Sequence, residues 1–401
     1  MPSLKNLVWS LSLATAVLAV PQIDRVQTAN TIPGRWIARI EDNELLDAVL
    51  STVLEVAGIE PHSRYSVGKV KGFNFEADDA ILDILQGMGA IKSVEPDSKM
   101  YATAPLRQSR QASNATAVTQ KNAPWGLSRL SHKKTGASDY IYDSSAGKGS
   151  FIYIIDTGIF TDHSEFAGRA TIGKSFIDGA VGEDDQGHGT HCAGTAAGST
   201  YGVAKAANLI AVKVLGADGS GTNSGVLKGI EWAVDHATEN GHLDHAVLSM
   251  SLGGTFSQTT NDAIEEAISA GAFIAVAAGN DNKNVAGYSP GSAPSACTVG
   301  ATTKADVRAD FSNFGTLVDV FAPGKEITSA WIGGPDETNT IDGTSMACPH
   351  VAGLAAYLIG LEGPKAPKEL CKRIQALALK DVLKNAGSGS PNLLVNNGNV
   401  A

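Results

Sequence analysis

The chain has 401 residues, 43% apolar and 18% charged. That is enough to bury a full core and to build more than one folded unit. Its formal net charge of −10 comes without a lysine or arginine block, which argues against nucleic acid or an anionic membrane surface as a partner. A globular enzyme or binding protein remains.

The first segment places Lys5 ahead of an apolar run from Leu7 to Val20 that ends in Val17-Leu18-Ala19. The run is short for a membrane span. Its basic start, apolar middle and small-residue exit read as a secretory signal over residues 1–19, removed after Ala19, leaving an extracellular product without an anchor.

From Val20 to Thr116 the texture changes. Trp36 to Ile40 and Ser66 to Val70 alternate like half-exposed strands, while Glu44 to Ala57 and Asp78 to Met88 carry apolar residues at helical spacing. This predicts a small α+β unit over residues 20–116. Its last stretch, Pro105 to Thr116, is rich in Ser, Gln, Ala and Arg and reads as a cleavable linker. The only Asn-x-Ser/Thr acceptor, Asn114, lies inside it and would leave with the unit.

Beyond it, over residues 117–401, β-rich apolar runs alternate with helical ones. Strands are predicted at Phe151 to Ile155, Asn208 to Val214, Ala246 to Leu252, Ala272 to Ala277 and Cys297 to Ala301. Helices are predicted at Ser224 to Glu239 and Asn261 to Ala270. Such alternation implies an α/β fold, a doubly wound, mostly parallel sheet with helices on both faces. The tail from Gly387 to Ala401, rich in Gly, Ser and Asn, reads as surface.

Three motifs stand at the mouths of these elements. Asp156-Thr157-Gly158 follows a buried strand, His188-Gly189-Thr190-His191-Cys192-Ala193-Gly194 opens a small-residue helix, and Gly343-Thr344-Ser345-Met346-Ala347 opens an apolar one. Each motif has a plainer reading. Ser345 alone would be a helix cap. A lone Asp-Thr-Gly lacks the second carboxylate of an aspartic protease. His188, His191 and Cys192 are metal-ligand types, but they lack the His-Glu-x-x-His spacing and its glutamate.

The ordered set resembles the subtilisin-like serine proteases, and within them the secreted fungal proteinase K type. Asn122 to Leu127, Tyr201 to Ala204, Ala277 to Asn280 and His350 to Leu358 extend the match. The resemblance implies Ser345 as nucleophile, His188 as base, Asp156 as its orienting carboxylate and Asn280 as oxyanion donor. It implies that Gly219-Ser220-Gly221 and Ser251-Leu252-Gly253-Gly254 clasp an extended peptide, with Ala278 and Gly279 beside its primary pocket. No acidic residue occurs in Ser251 to Gly254 or Ala277 to Asn280, so aromatic and aliphatic side chains should be favoured before the cut. Residues 20–116 would be an inhibitory, folding-assisting propeptide that the enzyme itself removes near Thr116.

The same resemblance implies a structural calcium ion held by the Pro294 and Ala296 carbonyls and the Asp319 carboxylate. It also implies a Cys297–Cys371 disulfide and matches Cys192 to a buried free thiol. Cys348 stands where the subgroup's close relatives have threonine. A Cys192–Cys348 bond is the alternative to the two thiols favoured here because buried helix cysteines act as small apolar fillers. The subgroup's second bridge is absent, Phe151 and His242 standing in its place. Protein substrates and the propeptide are the partners implied, and the enzyme should be a monomer. The competing class is a silent binding or inhibitory protein on the same fold.

Overall fold

The computed structural model describes residues 21–103 and 118–399. The signal segment with its boundary at Ala19, the linker from Pro105 to Thr116, and Asn114 lie outside the described residues.

The N-terminal unit runs β1 (Thr31–Ile40), α1 (Leu46–Ala57), β2 (Ser63–Val67), β3 (Val70–Glu76), α2 (Asp79–Gln86), β4 (Ile91–Ala102). Its sheet order is β4-β1-β3-β2, with all three pairings antiparallel. The single strand predicted over Ser66 to Val70 is instead a hairpin turn: Val67 pairs with Val70, and Gly68 between them has φ 56°. A two-residue hairpin loop needs that positive φ. Strand alternation then divides the side chains between two faces. Trp36, Ala38, Ile40, Phe73 and Phe75 pack under α1 and α2. Ile37, Tyr65, Val67, Val70 and Met100 turn the other way, into a core shared with the C-terminal unit.

The C-terminal unit is built on β5 (Phe151–Asp156), β6 (Ala170–Ser175), α3 (His188–Ala197), β7 (Asn208–Lys213), β8 (Ser220–Thr222), α4 (Asn223–Glu239), β9 (Ala246–Met250), β10 (Leu252–Thr255), α5 (Gln258–Ala270), β11 (Phe273–Ala277), β12 (Cys297–Thr302), β13 (Val320–Pro323), α6 (Thr344–Glu362) and α7 (Pro367–Leu377). Strands β6-β7-β5-β9-β11-β12-β13 lie side by side, all parallel. Strand β5 shows why both faces are covered. Ile152 and Ile154 enter the core containing α3 and α6 residues, whereas Tyr153 and Ile155 enter the one containing α4 and α5 residues. A strand buried on both sides reads as continuous apolar sequence, as Phe151 to Ile155 does.

Two further sequence expectations are corrected, and two strands were missed. Ala246 to Leu252 is two strands: β9 ends at Met250, and β10 begins at Leu252 and leaves the parallel sheet. Strands β6 and β13 were not foreseen, the first being polar and partly exposed and the second only four residues long. The tail is not all surface, since Leu394, Val395 and Asn396 are fully buried and Leu393–Leu394 extends the sheet.

Cys297 at the start of β12 is bonded to Cys371 on α7, 74 residues away. A loop of that size restrains the unfolded chain by about 4–5 kcal/mol in the chain-entropy account. Cys192 and Cys348 are buried thiols. Where the second bridge is missing, the Phe151 and His242 rings stack with centroids 3.8 Å apart. The Tyr153 hydroxyl ties His242 Nε2 at 2.8 Å to His236 Nδ1 at 2.9 Å.

Candidate active site

Asp156 ends β5 and His188 begins α3, so the parallel sheet delivers a carboxylate to its carboxyl edge beside a helix start. Asp156 Oδ1 lies 2.7 Å from His188 Nδ1, and both residues are buried. Burial opposes a charged ring, but the adjacent carboxylate overrides it and holds the His188 pKa well above the usual histidine range. His188 Nε2 is buried and has no hydrogen-bond partner among the described residues. The ring is therefore fixed through Nδ1, with Nε2 enclosed.

Two neighbours brace this pair, and neither was singled out in the sequence. The Asp184 carboxylate accepts from the backbone N–H groups of Gln186, Gly187 and Thr190 and from the hydroxyls of Thr157 and Thr190, at 2.6–3.0 Å. Thr157 Oγ1 in turn accepts from Gly189 N–H at 2.8 Å. Fully buried Lys213, paired with Asp156 across the sheet, donates to the carbonyls of Thr157 and Leu215 and to Asp185 Oδ1. The available signals were a paired aspartate ahead of the histidine and a lysine closing an apolar strand.

His191 does not join the cluster. Its Nε2 faces the carbonyls of Ile327 and Asn339 at 3.0 and 3.2 Å, and burial lowers its pKa to about 3. Cys192 Sγ sits 3.9 Å from His188 Nδ1, its thiol pushed up by burial.

Ser345 is the second residue of α6. Its hydroxyl donates to the Ser251 carbonyl at 2.8 Å, and the Ser251 hydroxyl donates back to the Ser345 carbonyl at 2.9 Å. The other contact of Ser345 Oγ is the Thr103 hydroxyl, from the residue just after β4. Asn280 follows β11, and its Oδ1 accepts from both Thr344 N–H and Thr344 Oγ1. With the amide oriented in this way, Asn280 Nδ2 donates to the Thr103 carbonyl oxygen at 2.8 Å. Gly343 makes room for that carbonyl: a Cβ there would lie 2.3 Å from Thr103 O.

The end of β4 thus fills a cleft. On one side Ser220, Gly221 and Thr222 pair antiparallel with Tyr101, Met100 and Lys99; on the other Leu252 and Gly253 pair with Ala102 and Tyr101. Ala102 N–H also donates to the Gly219 carbonyl at 3.0 Å. Both glycine-rich segments picked out by sequence flank one extended peptide. Beside Thr103 a cavity of about 350 Å³ is lined by Gly253, Gly254, Ala277, Ala278, Gly279 and Asn280, and also by exposed Asp281, an acidic residue just past the segment Ala277 to Asn280.

Residues 147–398 match the family model described as Subtilase family. The chain belongs to the subtilase family. It is 43% identical over 405 residues to a subtilisin-like serine protease of Penicillium rubens, covering 97% of this chain and 98% of that one. It is 52% identical over 279 residues to a cuticle-degrading protease of Metarhizium anisopliae, covering 70% and 71%. Among solved structures, a cold adapted subtilisin-like serine proteinase superposes with a TM-score of 0.66 at 40% identity, covering 69% of this subtilase and 99% of that chain. The protein is a subtilisin-like serine protease.

The N-terminal unit of this subtilase also meets the rest through two carboxylates, Asp97 buried and Glu95 half-buried. Asp97 accepts from the Ser224 N–H and hydroxyl at the start of α4, and Glu95 accepts from Ser257 Oγ, the cap of α5. Both sit where helix ends favour negative charge, although burial raises both pKa values.

The Asp319 carboxylate suits a hard cation. It accepts only from neutral groups, Thr298 N–H at 2.9 Å and Gln375 Nε2 at 3.0 Å, and burial raises its pKa to about 6. The neighbouring sulfurs of Cys297 and Cys371 are locked in the disulfide, leaving oxygen donors. Pro294 and Ala296 lie on the turn just ahead of Thr298.

Proposed function

We propose that this protease is a secreted endopeptidase working through Ser345, His188 and Asp156, made as a zymogen whose propeptide is the N-terminal unit. The observation that carries the reading is the Thr103 carbonyl, which accepts from Asn280 Nδ2 while its residue lies against the Ser345 hydroxyl. A substrate carbonyl in that place meets the nucleophile and the oxyanion donor together.

Ser345 Oγ attacks the carbonyl carbon and its proton passes to His188 Nε2, the atom without a partner. Asp156 stabilises the resulting cation through Nδ1. Asn280 Nδ2 and the Ser345 backbone N–H, at a positive helix end, receive the charge on the oxygen. The leaving amine takes the proton, and water repeats the sequence on the ester.

The cavity, walled largely by glycine and alanine with Asp281 its one acidic lining residue, supports broad specificity for aromatic and aliphatic residues before the cut. Asp319, with the Pro294 and Ala296 carbonyls, would hold calcium, which would supply a countercharge to a half-buried carboxylate and no chemistry. The apolar leader supports secretion, and a site built wholly from one chain suits a monomer. The test is hydrolysis of casein by the parent and by Ser345→Ala. Activity in the parent alone supports the reading, and a parent without activity would favour a silent binding protein.

A further inference from the structure

We propose that His236 and His242 form a binding site for a divalent transition-metal cation of the zinc class, closed on its inner side by the Tyr153 hydroxyl. The site lies apart from the cleft and does not depend on the protease reading.

Two imidazole nitrogens converge on one oxygen. His236 Nδ1 lies 2.9 Å and His242 Nε2 lies 2.8 Å from the hydroxyl of Tyr153, a buried residue of β5. A hydroxyl carries a single hydrogen, so it donates to one ring and accepts from the other. The ring that donates to it can move its proton to its far nitrogen, which turns a second lone pair inward without any change of charge. Two neutral imidazoles then face the same point. That donor set suits zinc, copper or nickel, whereas calcium and magnesium take oxygen. Both histidines are half-buried, so water can enter from the open side to complete the shell.

Neither ring is free to turn away. Phe151 stacks on His242 with centroids 3.8 Å apart, and Trp232, one helical turn before His236, lies against its ring at 4.6 Å. The backbone between the two histidines is closed as well. Helix α4 ends at Glu239, Asn240 N–H donates to the His236 carbonyl at 3.1 Å, Gly241 has φ 67°, and His242 N–H donates to the Ala237 carbonyl at 3.0 Å. This turn folds the chain back over the last helical turn. Ligands held by packing and a closed turn have little order left to lose on binding. His236 also lies in that last turn, where the helix end favours positive charge.

A bound ion clamps the end of α4 to the strand that carries Asp156, three residues beyond Tyr153. Its effect falls on stability.

The test uses the full chain carrying Ser345→Ala, which removes any self-digestion, stripped with chelator and returned to calcium. Zn²⁺ is then titrated by calorimetry, with melting followed in parallel. One Zn²⁺ should bind through this pair, and Tm should rise with the logarithm of free Zn²⁺. His236→Gln and His242→Gln should each weaken binding by roughly tenfold or more, since losing even an outer partner of a metal ligand costs about 10- to 100-fold. Asp156, His188 and Cys192 also bring ligand atoms within 4.8 Å of one another, so Cys192→Ala is the control and should leave this binding unchanged. Binding that survives both glutamine variants and falls with Cys192→Ala overturns the assignment, as does a Tm that Zn²⁺ does not move. Should a glutamine variant fail to fold, Cu²⁺ on the Cys192→Ala chain reports the ligands directly. Its electron paramagnetic resonance spectrum should show imidazole nitrogen, and a spectrum without nitrogen sinks the proposal.

Discussion

The two walls of the cleft are made of different material. One is a set of side chains, Asp156, His188, Ser345 and Asn280, each enclosed and oriented by named partners. The other is nearly bare backbone, Gly219 to Gly221 and Leu252 to Gly254, which grips Lys99 to Ala102 by strand pairing. Chemistry needs particular atoms at fixed points, whereas holding varied peptides needs only what every peptide offers. Substitutions in the first wall should therefore remove rate, and those in the second should alter affinity and selectivity.

The sharpest break is Ser345→Ala. Turnover should fall by roughly 10⁶-fold, the loss known for removing a subtilisin nucleophile, while circular dichroism stays that of the parent and uncut precursor accumulates. Asp156→Asn should cost about 10⁴-fold in kcat, as the corresponding change does in the trypsin-type triad. The parent's activity should fall with acidity through a pKa above the usual histidine range, because protonated His188 cannot act as a base. Asp156→Asn should move that limb to lower pH, and an unmoved limb would show that the carboxylate does not set it.

Smaller effects separate binding from rate. Asn280→Ala should lower kcat by about 10²–10³ with little change in KM, the subtilisin value for one oxyanion donor being roughly 2.7–4 kcal/mol. On the backbone wall, a Cβ on Gly254 would meet Met100 Sδ at 2.5 Å, and Met100 lies three residues before Thr103, whose carbonyl reaches Asn280. Gly254→Leu should raise KM about tenfold for peptides with a large side chain at that place, within the range a pocket contact supplies. Small side chains there should lose less, the remaining loss coming from the Cβ lying 2.9 Å from the Lys99 carbonyl oxygen; an equal loss for all peptides would break the distinction between the walls.

Asp319 belongs to neither wall. Its folded pKa is raised, so without a cation its contribution to stability is fully present below the unfolded value and is lost as pH rises through about 6. Calcium should reverse that loss, adding about 2.7 kcal/mol at a hundredfold excess over its Kd. Asp319→Ala should abolish the response to chelator in melting experiments and leave kcat unchanged at a temperature where both proteins are folded.

The side-chain wall was legible because its residues lie in short motifs at element ends, and the parallel sheet because strands such as Phe151 to Ile155 are apolar throughout. The backbone wall was visible only through family resemblance, since glycine pairs mark turns as often as peptide grips. Asp184 and Lys213 escaped because their partners are mostly backbone groups or residues distant in sequence. The hairpin at Gly68 was hidden in an alternation that continues through the turn. The contact of Thr103 with Asn280 joins residues 177 positions apart, and no local pattern reports it.

Helix α6 carries Ser345 on a segment buried continuously from Thr344 to Ile359 and apolar enough to pass for a membrane span. A helix so placed has no local route to opening. Amide hydrogens along it should exchange only when the whole C-terminal unit unfolds, far more slowly than those of exposed loops. Heat should then silence the enzyme at the temperature where the unit melts, with no softened, inactive form beforehand. Residual activity becomes a direct count of folded molecules.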